Sequence, residues 1–360
     1  MDKGKTAEAF VREAYDKGVF HGVYLLAEDG VILSKGAFGT RDPECRLPMQ
    51  EDTVFEMASV SKHFTATALM LLKKRGLVDI DAPMKNYLPE LPEIYKDVTI
   101  RQTLNHTGGY PDYKEWMWAR AKQEGRIFGT AEVMLYLIES GDKPLFAPGE
   151  KMEYCNTGYC LLALLVERVS GVPFDDFIKN EIFVPCGMRS TQAYHRRLNG
   201  ISIDNYAYGM ILDNVKYILP DDTPERDYVM WLDGLSGDGI VNSNIFDMLT
   251  WDRAQRSELI LTAAEQSEMY TPGLLNDGSP CGYGFGWFVR QEEGIGLVVD
   301  HSGGWPGYNA EYLRAIDRDI MLILLIDRTG GDLDARLAFI KGMVDIALGK
   351  EPAPLPAPAE

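Results

Sequence analysis

A serine and a lysine stand three positions apart in Phe55-Glu56-Met57-Ala58-Ser59-Val60-Ser61-Lys62-His63-Phe64-Thr65-Ala66, where an apolar segment begins. The segment predicts a helix from Ser59 to Arg75 that ends at Gly76. Residues three apart share one helix face, and the free N–H groups of a first turn favour developing negative charge. A lysine held close to an apolar core can lose its proton. The stretch therefore predicts a nucleophile, Ser59, beside a base, Lys62.

Composition limits what the rest of the chain can be. The 360 residues are 46% apolar and 25% charged, which is enough apolar content to bury a large core. A net charge of -18 argues against nucleic acid or an anionic membrane as a partner. The N-terminus is a mixed-charge segment and the apolar runs are too short to span a bilayer, so a cytoplasmic location is expected.

The five cysteines do not form a recognisable pattern. Their number is odd, their spacing is scattered and no Cys-x-x-Cys pair occurs, so neither a disulfide framework nor a zinc site is predicted.

Strand patterns occur at both ends of the chain and helical patterns in the middle. Two apolar runs flank Asp29-Gly30, a strong hairpin signal. Further strands are predicted at Tyr283–Arg290, Ile295–Asp300, Tyr308–Ile316 and Asp319–Ile326. We expect an α+β protein with one antiparallel sheet flanked by terminal helices. Residues 1–57 and 281–350 would form the sheet domain, 58–280 a mainly helical domain, and 351–360 a disordered Pro/Ala-rich tail.

Two distant motifs carry groups that the serine and lysine need. Tyr154-Cys155-Asn156 precedes an apolar helix, and it offers a proton shuttle and an orienting amide. His301-Ser302-Gly303-Gly304 follows a predicted strand, where glycines allow a substrate backbone to approach. An N–H group exposed there can pair with the Ser59 N–H as an oxyanion hole.

The three motifs, in this order, resemble those of the class C β-lactamase-related serine hydrolases, a superfamily that includes penicillin-binding proteins, D-aminopeptidases and β-lactamase-like esterases. The resemblance extends from about Val23 to Leu348 and implies a β-lactamase/transpeptidase-like fold. It implies Ser59 as the acylated nucleophile, with Lys62 and Tyr154 sharing the proton transfers. It also implies that the residues that bind the substrate and the oxyanion are Asn156, His301, Ser302, Gly303 and Gly304.

Two positions depart from the family's pattern. The third motif reads His-Ser-Gly, common in the peptidase and esterase branches, where most penicillin-recognising members have Lys-Thr-Gly. The second motif carries Cys155 where serine is more usual, and this middle residue is not the chemical one. The first departure moves the expected substrate away from β-lactams.

The resemblance implies a serine hydrolase that acts through an acyl-enzyme on a small ester, amide or D-residue peptide, with no metal or organic cofactor. One alternative is a β-lactamase or penicillin-binding DD-peptidase. Another is a non-catalytic binding or sensor protein that retains the fold. The natural substrate and the oligomeric state are left open.

Structural interpretations compete at most of these positions. Ser-x-x-Lys alone arises by chance about once in a chain of this length. Tyr154 could be a core residue, Asn156 a helix cap and His301 a strand-end residue. We expect His106 to support the Gly108-Gly109 loop.

Overall fold

The computed structural model describes residues 1–200 and 202–356. Its strands are β1 (Gly22–Glu28), β2 (Val31–Phe38), β3 (Phe55–Glu56), β4 (Gln192–Ala193), β5 (Met210–Asp213), β6 (Lys216–Ile218), β7 (Val241–Ser243), β8 (Phe288–Glu292), β9 (Gly296–Trp305), β10 (Tyr308–Ala315), β11 (Ile320–Ile326) and β12 (Arg328–Thr329). Its α-helices are α1 (Lys3–Asp16), α2 (Lys62–Lys74), α3 (Ile100–Leu104), α4 (Lys114–Glu124), α5 (Ala131–Glu139), α6 (Asn156–Ser170), α7 (Phe174–Ile178), α8 (Val184–Cys186), α9 (Arg196–Asn199), α10 (Tyr228–Trp231), α11 (Ile245–Arg256), α12 (Ala263–Met269) and α13 (Leu333–Ala347).

The main sheet joins the two ends of the chain. Its strands follow the order β2-β1-β11-β10-β9-β8, and each neighbouring pair is antiparallel. The predicted α+β architecture with an antiparallel sheet is therefore confirmed. Asp29 and Gly30 link β1 to β2 with φ values of 50° and 76°. These two left-handed residues fit the two-residue turn that the right-handed twist of a hairpin requires.

Strand β8 begins at Phe288, five residues after the predicted start at Tyr283. Gly284 and Gly286 occupy the intervening segment, and both touch helix backbone. A Cβ on Gly284 would lie 2.1 Å from the Met269 carbonyl oxygen, and one on Gly286 would lie 2.6 Å from the Cα of His63. The segment is irregular because it packs against α12 and α2 before it enters the sheet.

One face of the sheet is covered by the two terminal helices. Alternate residues of β1 and β11 pack there against α1 and α13 in a separate apolar cluster. The sequence predicts a disordered tail from residue 351, whereas Leu355 is buried in this cluster and Lys17 Nζ donates a 3.1 Å hydrogen bond to its carbonyl oxygen. The last four residues, 357–360, lie outside the described residues.

The other face meets the residues between the sheet's two halves. A larger core cluster joins the inner face of β1, β10 and β11 to α2, α6 and α11. Helix α2 lies at the centre of this cluster, and its residues from Lys62 to Leu72 are all buried. The turn before α2 contacts β9 and β10, so the Ser59 segment lies where the helices meet the sheet. Within the described residues, no helix is long and apolar enough to cross a membrane.

Candidate active site

Ser59 lies in a short turn rather than in the first turn of an α-helix. Residues Ala58–Ser61 form a 3₁₀ helix, and α2 begins at Lys62. The predicted helix start at Ser59 is thus corrected. Ala58 takes a φ of 46°, which an alanine rarely adopts, so the backbone turns sharply just before the serine. In a 3₁₀ turn, side chains three apart are eclipsed, and this directs Ser59 and Lys62 toward each other.

Lys62 is buried, and its Nζ donates three hydrogen bonds. The acceptors are Ser59 Oγ at 3.2 Å, Asn156 Oδ1 at 2.8 Å and the Asp238 carbonyl oxygen at 2.7 Å. All three donor positions of the ammonium are therefore used. The lysine is fixed against the serine by groups from two other segments of the chain.

The second motif lies beside this lysine. Tyr154 is 36% exposed, so it is not a core residue, and its ring centroid lies 4.9 Å from Lys62 Nζ. Asn156 is the first residue of α6, and its side chain binds Lys62 while the helix's N-cap position belongs to Cys155. The interpretations of Tyr154 as a core residue and Asn156 as a mere cap are both wrong.

Cys155 and His106 support this motif from behind. The Cys155 thiol is buried and points away from the site, toward the Tyr110 carbonyl oxygen at 3.2 Å. Burial raises the pKa of Cys155 to about 12, so this thiol is not a nucleophile at neutral pH. The Cys155 backbone N–H donates to His106 Nδ1 at 3.1 Å, and the His106 ring packs 4.4 Å from that of Tyr154. His106 thus holds the tyrosine in place.

The third motif lies on β9, beyond the point where β8 stops pairing with it. The β8–β9 ladder ends at Asp300, so among the described residues no strand covers that edge of β9 from His301 to Trp305. A Cβ on Gly303 would lie 2.2 Å from the Met57 carbonyl oxygen, so the glycine lets β9 pack against the serine's turn. Ser302 and Gly304 are exposed, whereas Gly303 is buried.

His301 is buried and neutral. Its Nδ1 lies 2.6 Å from the Ser302 carbonyl oxygen and its Nε2 lies 2.9 Å from the Tyr283 hydroxyl. Burial and the nearby Lys62 charge lower the pKa of His301 to about 3. Because a carbonyl can only accept, Nδ1 carries the proton and Nε2 accepts from the tyrosine. The third motif therefore supplies no positive charge here, unlike a lysine.

A cavity of about 610 Å³ opens over these residues. Ser59, Asn156 and Gly304 line it together with Trp305. Further lining residues come from the segments around α4, α10 and the start of α13, namely Tyr113, Lys114, Arg226, Tyr228, Val229, Leu232, Asp233, Leu235, Leu333 and Arg336. Of the predicted site residues, Ser59, Asn156 and Gly304 line the cavity, and Lys62 contacts the first two of them.

Two features of the site are missed by sequence analysis. The Asp238 backbone carbonyl that binds Lys62 has no sequence signal of its own, although the flanking Gly237 and Gly239 mark a loop. Glu56, three residues before the serine, lines the cavity. Burial raises the pKa of Glu56 to about 7, against the opposing effect of Arg197.

Comparison with known proteins identifies the family. The family model for beta-lactamase matches residues 7–342. The chain belongs to the beta-lactamase family. It is similar to penicillin-binding protein 4* of Bacillus subtilis, with 38% identity over 352 residues that cover 97% of this chain and 77% of the relative. As a member of this family the chain is a serine hydrolase, and the resemblance inferred from the motifs is confirmed.

Other beta-lactamase-family relatives are more distant. A D-aminopeptidase of Brucella canis is 26% identical over 343 residues, and the alignment covers 92% of this chain and 60% of that protein. Among solved structures, the octameric penicillin-binding protein homologue from Pyrococcus abyssi aligns with a TM-score of 0.79 and 24% identity, over 98% of this chain and 78% of that one. The β-lactamase/transpeptidase-like fold is thereby confirmed.

Proposed function

We propose that this protein hydrolyses amides, peptides or esters of D-configured amino acids through an acyl-enzyme on Ser59. The observation that carries the proposal is the set of three hydrogen bonds from Lys62 Nζ, which places a proton-transfer group 3.2 Å from the Ser59 oxygen inside the cavity. The similarity to a D-aminopeptidase supports the choice of acyl group.

In the proposed first step, Ser59 Oγ attacks the substrate carbonyl carbon. In the reacting form Lys62 is the neutral amine, and it shares with Tyr154 the transfer of the hydroxyl proton to the leaving amine or alcohol. The bond to the leaving group breaks and the acyl group remains on the serine oxygen. In the second step a water molecule adds to the acyl carbon, loses its proton through the same groups and releases the acid, which restores the serine.

The developing oxyanion needs donors in a fixed position. We assign them to the backbone N–H groups of Ser59 and Gly304, two residues that line the same cavity. Asn156 would hold Lys62 and contact the substrate amide. Ser302, Gly303 and neutral His301 would form the edge along which the substrate backbone lies.

A second candidate is a penicillin-binding DD-peptidase or a β-lactamase. The 38% identity to penicillin-binding protein 4* favours this candidate. The neutral state of His301 speaks against it, because a carboxylate next to a β-lactam ring finds no cation at the third motif.

A panel of acyl donors tests the proposal. Steady-state kcat/KM is measured for D-alanine p-nitroanilide, its L-enantiomer, p-nitrophenyl acetate and nitrocefin. The proposal expects the D-anilide to be hydrolysed in preference to its L-enantiomer and to nitrocefin. Nitrocefin as the best substrate would favour the second candidate, and the L-anilide as the better enantiomer would contradict the first.

The proposal places the enzyme in the cytoplasm. Within the described residues each of the five cysteines is a free thiol, and one of them, Cys45, is exposed. Free thiols of this kind suit a reducing compartment.

A further inference from the structure

A buried histidine outside the three motifs, His195, lies between two hydrogen-bond acceptors. Its Nδ1 bonds to the Asp233 carbonyl oxygen, and its Nε2 lies 2.8 Å from Asp175 Oδ2 on α7. A carbonyl and an ionised carboxylate can only accept, so both ring nitrogens must carry protons to satisfy both contacts. The geometry therefore favours the imidazolium form of His195.

The charges around His195 favour the same form. Burial would lower the pKa of His195, but the hydrogen bond to Asp175 and the charges of Asp175 and Asp233 outweigh burial and raise it. The Asp233 carboxylate is paired with Arg197, whose Nη1 lies 3.1 Å from Asp233 Oδ1, and Arg197 also acts on the Glu56 carboxyl group. His195 thus faces two anions, of which one already has a cationic partner.

Ser236 completes a group of the three residue types that form catalytic triads, but the contacts exclude that role. The Ser236 hydroxyl donates to Asp175 Oδ1 at 2.8 Å and lies 3.4 Å from His195 Nε2. Because the histidine presents the same nitrogen to the aspartate and to the serine, no free base is directed at the hydroxyl. The three side chains instead tie the segment that carries Ser236 to α7.

That segment, residues 233–239, carries one of the acceptors of the catalytic lysine, and we call it the anchor loop. His195 and its partner Asp175 hold the first part of the anchor loop. Near the other end of the loop, the Asp238 carbonyl oxygen accepts a 2.7 Å hydrogen bond from Lys62 Nζ. A continuous set of hydrogen bonds therefore connects the histidine to the lysine.

The position of the Asp238 carbonyl affects proton transfer because a neutral lysine amine has two N–H groups and one lone pair. When the N–H groups bond to Asn156 Oδ1 and to the Asp238 carbonyl oxygen, the lone pair remains for the Ser59 hydroxyl. If the Asp238 carbonyl moves away, the amine of Lys62 can rotate and the lone pair loses its direction toward the serine. Reactivity of Ser59 therefore depends on where the anchor loop lies.

We propose that His195 is a positioning residue whose protonated ring holds the anchor loop, and that the loop in turn directs the Lys62 amine toward Ser59. When His195 loses its proton, one ring nitrogen presents a lone pair to an acceptor, and that contact becomes repulsive. The inference rests on the proposed function for the role of Lys62 as the base.

Other contacts of the anchor loop do not change with pH. The Thr65 hydroxyl donates to the Gly237 carbonyl oxygen at 2.6 Å, and the Ser236 N–H donates to Thr130 Oγ1 at 2.8 Å. These neutral contacts keep the loop folded when His195 is neutral. The inference therefore expects a folded protein with a less reactive serine above the His195 midpoint, rather than an unfolded protein.

The rate at which a fluorophosphonate probe labels Ser59 tests the inference without a substrate. We measure the second-order labelling rate constant across pH, and the His195 titration midpoint by imidazole NMR. We expect an inflection at the His195 midpoint, above which labelling is slower by roughly tenfold or more. A labelling profile with no inflection at that midpoint would overturn the proposal.

Asp175→Asn assigns the inflection to His195. The substitution keeps the shape of the partner side chain but removes its charge, so the His195 midpoint should fall, and the labelling inflection should fall with it. Glu56 lines the cavity and has a pKa of about 7, but an inflection caused by Glu56 would not follow the His195 signal. An inflection that stays in place while the His195 midpoint moves would overturn the proposal.

His195→Gln removes the titrating group. Glutamine keeps one donor for Asp175, so the variant should fold, lose the inflection and label roughly tenfold more slowly than wild type below the midpoint. His21→Gln is the matched control, because His21 also pairs with an aspartate, Asp327, at 2.7 Å but does not line the cavity. The control should keep the wild-type profile. Loss of the inflection in the control, or its persistence in His195→Gln, would overturn the proposal.

Failure of this inference and failure of the proposed function give different results. Labelling of Ser59 with the expected inflection, in a protein that hydrolyses none of the acyl donors, would contradict the proposed function alone. Hydrolysis of the D-anilide by a protein whose labelling shows no inflection at the His195 midpoint would contradict the role of His195 alone.

Discussion

Lys62 Nζ and Asn156 Oδ1 lie 2.8 Å apart although 94 positions separate the residues in sequence. This hydrogen bond connects the first residue of α6 to the first residue of α2. It fixes the lysine at the serine, since the other acceptors of Lys62 are the serine itself and a backbone carbonyl. The account therefore depends on Asn156 as much as on the Ser-x-x-Lys pair.

Asn156→Ala should impair acylation with little effect on folding. Without the amide oxygen, Lys62 Nζ can move away from Ser59 Oγ, and a displacement of about 1 Å lowers a rate by about a hundredfold. Single-turnover acylation by a chromogenic substrate measures this effect. Asn86→Ala, at an exposed asparagine that does not line the cavity, is the control. Equal acylation rates in Asn156→Ala and wild type would remove Asn156 from the proposed mechanism.

Gly303→Ala should destabilise the protein because the new Cβ would lie 2.2 Å from the Met57 carbonyl oxygen. This clash involves the main chain of Met57 and a Cβ fixed to the main chain of β9, so no side-chain rotation can remove it. Strand β9 must therefore shift relative to the serine's turn. We expect a loss of about 1–3 kcal/mol in the free energy of unfolding, measured by urea denaturation.

Gly304→Ala is the matched control for that loss. The nearest atom to a Cβ there is Asn309 Nδ2 at 3.7 Å, an ordinary contact. Its unfolding free energy should remain within about 0.5 kcal/mol of wild type. Similar destabilisation by both substitutions would contradict the close packing assigned to Gly303.

His301 should not titrate in the physiological range. Its pKa of about 3 follows from burial and the Lys62 charge, whereas His195, which bonds to Asp175, has a pKa above its ordinary value. Imidazole NMR spectra should show a constant His301 signal between pH 5 and 8, and a His195 midpoint above that of an ordinary histidine. A His301 signal that moves with a midpoint inside this range would mean that the third motif can carry a positive charge.

Glu311→Gln should stabilise the protein above neutral pH but not in acid. Burial raises the pKa of Glu311 to about 7, above the ordinary value of 4.5. Below pH 4.5 this carboxyl group is protonated in both the folded and the unfolded chain. As the pH rises toward 7, the unfolded chain loses the proton more readily than the folded protein, so the free energy of unfolding falls. The gain on substitution should therefore be negligible at pH 4.5 and reach on the order of 3 kcal/mol at pH 8. Denaturation of wild type and variant at both pH values checks this.

Glu8→Gln, at an exposed position of α1, controls for the change in net charge. A gain that is equal at both pH values, or that appears in this control as well, would show that Glu311 is not the titrating group.

The sequence is sufficient to predict the sheet and the three motifs. Alternation of apolar residues and the Asp29-Gly30 turn determine local structure, and these patterns are visible without tertiary contacts. The helix around Ser59 is less predictable because its first turn is set by tertiary packing. Gly303 packs closely against the Met57 carbonyl there, and the backbone at Ala58 has a positive φ of 46°.

The charges of the site are even less visible in sequence. The sequence shows a histidine at position 301 but not its charge. That side chain is neutral because it is buried next to Tyr283 and the charge of Lys62. The contact of Asp238 with Lys62 comes from a backbone carbonyl, which has no sequence pattern. Such properties depend on which distant residues are neighbours, so they require the folded structure.

Covalent labelling of Ser59 tests the central claim most directly. The folded protein is incubated with a fluorophosphonate probe, digested and mapped by mass spectrometry, with Ser61→Ala and Ser59→Ala as paired variants. Ser61 is buried and its Oγ accepts a hydrogen bond from the Val241 N–H, so it should not react. The account predicts one adduct on the peptide containing Ser59, retained in Ser61→Ala and absent in Ser59→Ala. An unlabelled Ser59 in folded wild-type protein, or turnover that persists in Ser59→Ala, would contradict it.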